Sequence, residues 1–120
     1  MALTSFDFQQ ARVKQVLFKS RLRSVLYGVR AAEPELFSLH ENPLGQWLQT
    51  TVKPTHSAYP EVREIERVLQ QMLHTGRDLA TRYAHGHIEE SRAGLDLING
   101  YAEQIEALLT QLEQAVSGRA

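Results

Sequence analysis

Apolar residues recur every three or four positions over three long stretches of this chain, the spacing of a helix face turned toward a core. Phe8, Ala11, Phe18, Leu22, Val25, Leu26 and Val29 predict a first helix from Phe6 to about Arg30. Val62, Ile65, Leu69, Met72, Leu73, Gly76, Leu79, Ala80 and Tyr83 predict another from Glu61 to about His85. Gly86 suits a helix C-terminus. The stripe resumes with Ile88, Leu95, Ile98, Ala102, Ile105, Leu108, Leu109, Leu112 and Val116, so a last helix is expected from there nearly to the end.

Between the first two long helices, Asn42 and Pro43 read as an N-cap followed by a first-turn proline, opening a short helix toward Thr50. The polar run TVKPTHSAY, with Pro54, reads as the most flexible loop, and Pro60 suits the opening turn of the next helix. No segment alternates apolar and polar residues as a half-buried strand does, and Asn99-Gly100 falls inside a helical pattern rather than between two strands. The expected fold is therefore all-α, an antiparallel four-helix bundle of three long helices and one short one, with residues 1–120 forming a single domain.

Composition agrees with a folded domain: 42% of the 120 residues are apolar and 22% charged. The formal charge of -1 comes from scattered residues, so the clustered basic face of a nucleic-acid-binding surface is missing. The absence of cysteine excludes disulfides and thiolate chemistry. No basic segment followed by an apolar stretch opens the chain, and no window approaches the roughly 18 apolar residues of a membrane span. A cytoplasmic location without membrane insertion is the expectation.

Polar residues on apolar faces single themselves out, because burial demands a hydrogen-bond partner. Gln15 projects between Ala11, Phe18 and Leu22, so its amide points into the core. Gln70 and His74, four residues apart, stand one above the other on the shoulder of their helix's apolar stripe. Of the five histidines, His85 and His87 flank Gly86 while His40 and His56 lie in the polar middle region, without a recognisable ligand spacing. Nucleophile elbow, phosphate-binding glycine loop and His-Glu-x-x-His helix are all lacking, so no enzyme activity is expected. Gly45, two residues before Trp47, reads as a close helix contact that locks the short helix onto the bundle.

Taken together, Phe8-x-x-Ala11-x-x-x-Gln15-x-x-Phe18-Lys19-x-x-Leu22-Arg23, then Asn42-Pro43-Leu44-Gly45-Gln46-Trp47-Leu48, then Gln70-x-x-x-His74 resemble the chemoreceptor zinc-binding (CZB) domain over nearly the whole chain. That family shows a His with an aromatic three residues on and a Leu seven residues on, then Cys-x-Leu-Gly-Lys-Trp, then His-x-x-x-His. The resemblance places its zinc ligands, three His and one Cys, at Gln15, Asn42, Gln70 and His74, of which only His74 keeps a ligand side chain. Phe18, Leu44, Gly45 and Trp47 are the pocket-shaping positions it implies. Zinc is the family's cofactor, and its loss is expected here. The three amides are expected to hydrogen-bond one another and His74 in place of the ion, or to line a water-holding cavity.

The resemblance further implies a bacterial cytosolic regulatory module of chemotaxis or cyclic-di-GMP signalling. It would act through dimerisation or through docking to a signalling protein. The alternative it leaves open is a ligand or metal sensor using the former zinc pocket around His74.

Overall fold

The computed structural model describes residues 3–118, and among them every regular element is helical. Helix α1 (Ser5–Leu26) opens on a capping box in which Asp7 N–H donates to Thr4 Oγ1 at 3.2 Å and Thr4 N–H donates to Asp7 Oδ2 at 2.8 Å. It turns Phe8, Ala11, Gln15, Phe18, Leu22, Val25 and Leu26 into the core. The helix stops four residues short of the predicted Arg30. Gly28 takes φ 75, Gly28 N–H donates to Val25 O at 3.1 Å and Val29 N–H to Ser24 O at 2.9 Å, the double bond of a Schellman end. Val29, expected on the core face, is consequently 77% exposed.

A 3₁₀ turn over Pro34–Phe37 buries Leu36 and Phe37, and the Phe37 ring meets Phe18 edge-on at 6.4 Å. Helix α2 (Pro43–Trp47) follows its Asn42 cap as expected, and runs through a π-helical turn (Leu48–Val52) into α3 (Lys53–His56). The run read as the most flexible loop is thus largely helical. Leu48, Val52 and His56, each four residues apart, are all buried. A proline ring collides with the carbonyl four residues back in a regular α-helix, and the widened π turn sits where Pro54 would meet it.

Helix α4 (Pro60–Ala84) matches its predicted span and ends in a second Schellman pair, with Gly86 N–H donating to Tyr83 O at 3.0 Å and His87 N–H to Arg82 O at 2.9 Å. The last predicted helix is interrupted: α5 (Ile88–Ala93) and α6 (Leu95–Ser117) meet at Gly94. A Cβ at Gly94 would lie 2.3 Å from Leu79 Cδ2, so the interruption falls where the chain packs tightly on Leu79 of α4.

The most extensive contact joins α4 to α6, and α1 lies against both, so the three long helices enclose one apolar core. At about 1.5 Å per residue helices of 22 to 25 residues run roughly 33 to 38 Å, the larger part of the long dimension of a molecule 52 × 22 × 20 Å overall. Among the described residues no helix is long and apolar enough to cross a membrane.

Candidate functional site

Gln15, Asn42, Gln70 and His74, the four positions singled out in the sequence, each have their own local role. Gln15 is 6% exposed, and its Nε2 donates to Ala102 O at 2.9 Å, tying α1 to α6; its Oε1 is buried and accepts nothing among the described residues. Asn42 is fully buried. Its Oδ1 accepts from Leu44 N–H at 2.9 Å and Gly45 N–H at 3.3 Å, and its Nδ2 donates to Leu36 O at 2.9 Å. Gln70 and His74 are exposed on α4, off the shoulder of the stripe on which they were expected.

Among the described residues no hydrogen bond joins any two of these four, so the expected amide network does not form. The reason is local demand. A helix start leaves N–H groups that an Asn cap satisfies, and a buried amide on α1 finds a backbone carbonyl of α6 nearer than another side chain. The set does not fit zinc either. Amide groups are poor zinc donors, and Asn42 Oδ1 is already committed to two backbone N–H groups. No group of three or more His, Asp or Glu stands in metal-holding geometry among the described residues.

The residues expected to shape a pocket pack as a lock between elements. A Cβ on Gly45 would sit 1.9 Å from Leu39 O, so this glycine lets α2 touch the preceding backbone. Leu44 and Trp47 are buried, and the indole meets the Phe8 ring edge-on at 6.0 Å. Trp47 Nε1 is buried without an acceptor among the described residues. Phe18 packs against Phe37 and lies where Gly76 leaves room for its ring.

A polar clamp missed in the sequence lies beside Gln15. Arg12 Nε donates to Glu106 at 2.6 Å, Nη1 to Glu113 at 3.2 Å and Nη2 to Thr110 Oγ1 at 3.1 Å. The hydrogen bond to Glu106 leads the causes that raise the Arg12 pKa, against the opposing cost of burial, with Glu113 adding to it. Of the remaining histidines, His56 is buried, its Nδ1 lies 2.7 Å from Thr55 Oγ1, and its ring stacks on Tyr59 at 5.7 Å.

The second missed feature is the outer face of α1. Phe6 is 64% exposed, Val13 61%, Val16 63% and Leu17 37%, four of the eight large apolar side chains exposed among the described residues. On a wheel of about 100° per residue they lie opposite the buried face of Phe8, Gln15 and Leu22. The signal was present as Phe6, Val13 and Leu17 at intervals of seven and four, overshadowed by the stronger stripe that faces the core.

No family model matches this chain, and neither a curated protein nor a solved structure does.

Proposed function

We propose that this chain is a non-catalytic regulatory module, an antiparallel four-helix bundle that works by pairing with a second copy through the outer face of α1. The carrying observation is the exposed stripe of Phe6, Val13, Val16 and Leu17 on a helix whose other face is already buried. An exposed apolar strip on a surface helix marks an interaction site, because water-exposed apolar area is recovered only by covering it.

The antiparallel arrangement is supported by which ends meet. Arg12, early in α1, bonds Glu106 and Glu113 in the second half of α6, whereas Leu26 at the end of α1 accepts from Arg92, just ahead of α6. Charge orients the pairing of copies. Lys19 and Arg23 lie in the second half of α1, and Asp7 stands in its first turn. Antiparallel docking of two α1 helices sets the acidic start of one beside the basic part of the other, while parallel docking stacks like charges.

The resemblance to the chemoreceptor zinc-binding domain supports a cytoplasmic role in bacterial signalling, upstream of a partner that carries the output. It supports loss of the family's zinc as well, since amides stand at three of the four ligand positions. The alternative, a ligand or metal sensor around His74, gains nothing from a side chain that is exposed and unbonded to the other three positions.

Light scattering over a range of concentrations tests the pairing. The protein is expected at twice its chain mass, and Val13→Glu with Leu17→Glu is expected at one chain mass with an unchanged helical circular dichroism spectrum. A wild type that stays at one chain mass at every concentration would overturn the proposal.

A further inference from the structure

Between the second half of α1, the linker that follows it and the start of α2 lies a cavity of about 100 Å³, lined by Arg21, Arg30, Glu33, Glu35, Glu41 and Pro43. Two cations and three anions share this small space, yet among the described residues no ion pair joins either arginine to any of these glutamates. Arg21 is only half-exposed, and its Nε is buried with no acceptor among the described residues. A buried donor left unpaired is costly, and the guanidinium that carries it lines the cavity with no carboxylate of the described residues bonded to it, which leaves a place for an absent partner.

The chemistry of that partner follows from the lining. A simple anion would suit the guanidinium groups but would face three carboxylates. A metal cation would suit the carboxylates but would face two guanidinium groups, and these glutamates do not form a metal-holding group. A molecule carrying both charges a few bonds apart satisfies both sets. We propose that this cavity binds the head group of a free α-amino acid, its carboxylate on the Arg21 guanidinium with Arg30 beside it and its ammonium among Glu33, Glu35 and Glu41.

Size agrees with the assignment. An apolar cavity of about 150 Å³ accommodates benzene, so the smaller space here encloses a head group and leaves the amino-acid side chain at the opening. Planar, two-pronged recognition of a carboxylate is what a guanidinium does best. The site joins α1 to a linker whose residues 30–35 are all exposed, so occupancy ties that linker down. Of its lining residues only Arg21 lies on α1, one turn beyond Leu17, and the rest lie outside the helix that carries the apolar stripe.

Calorimetry and melting curves with glycine and L-alanine test the assignment, with acetate and methylammonium chloride as single-charge probes. The amino acids are expected to bind one per chain with a dissociation constant of about 1 mM or tighter and to raise the melting temperature, while neither single-charge probe does. Arg21→Gln, with its fold checked by circular dichroism, is expected to bind at least about tenfold more weakly, as loss of a charge-assisted bond requires. Phe6→Glu with Val13→Glu is expected to bind as the wild type does, which separates this site from the pairing surface. The assignment is overturned by absence of saturable amino-acid binding, by acetate acting as well as glycine, or by full binding in a folded Arg21→Gln.

Discussion

Arg92 Nε donates to the carbonyl oxygen of Leu26 at 2.8 Å, while the same guanidinium lies 4.2 Å from the centroid of the Tyr27 ring. One side chain on α5 therefore satisfies a free carbonyl at the end of α1 and stacks on the residue that caps it. Arg23 approaches the same ring at 5.3 Å. Arg92→Ala is expected to lower stability by about 1 to 3 kcal/mol, through loss of a charge-assisted bond and a cation–π contact. Arg92→Lys should recover only part of it, because an ammonium lacks the planar face. Urea unfolding of the two variants measures both effects, and equal stability of Arg92→Ala and wild type would sink the argument.

Two glycines make opposite predictions. Gly45→Ala places a Cβ 1.9 Å from Leu39 O, a backbone atom that cannot swing away, so a loss above about 2 kcal/mol is expected. Gly100 lies within α6 with open space around its missing Cβ, so Gly100→Ala should stabilise by roughly 0.5 to 1 kcal/mol through helix propensity. Thermal melts of the pair decide whether close approach or local preference governs each position.

Asn42 carries three hydrogen bonds in full burial, two as the α2 cap and one to Leu36 O. Asn42→Ala is expected to cost about 2 to 3 kcal/mol, above the usual cap because an acceptor and two donors are left unpaired away from water. Asn42→Ser keeps a capping oxygen but cannot reach Leu36 as an amide does, and should fall between. Asn42→Cys should also lose the cap. Chemical denaturation of the three variants ranks them.

The acid branch of the stability curve has one identified contributor. The hydrogen bond from Arg67 holds Glu64 below the ordinary glutamate value of 4.5. A carboxylate with a depressed folded pKa stabilises above its unfolded pKa and loses that contribution as pH falls through the folded one. Glu64→Gln should therefore leave stability at neutral pH almost as it is and slightly flatten its decline below 4.5. The raised Arg12 pKa works in the alkaline direction, so its clamp on Glu106 and Glu113 holds throughout the neutral range. Melting temperatures of Glu64→Gln measured from acid to neutral pH check the first statement.

The elements whose signal is repeated over many residues were legible before folding. The span of α4 follows from nine apolar positions at helical spacing, and the Asn42-Pro43 start of α2 follows from a side chain that caps within its own turn. The errors lie where distant residues intervene. Helix α1 ends at Leu26 because Gly28 adopts a left-handed conformation beside Tyr83, whose hydroxyl would stand 2.7 Å from a Cβ there. The run around Pro54 becomes helical because Val52 and His56 find a buried place.

The candidate site divides in the same way. The sequence by itself determined that Gln15 is buried, that Asn42 caps a helix and that Gly45 permits a close contact, since each follows from periodicity or from bonds within a few residues. Tertiary structure alone decided that Gln15 bonds to Ala102 rather than to another amide, that Arg12 reaches three residues of α6, and that Arg21 and three glutamates surround one cavity without pairing. Side-chain periodicity states which face a helix buries, but the partner across that face is set by how whole helices dock, a choice made by the summed burial of the core rather than by any one residue's neighbours in the chain.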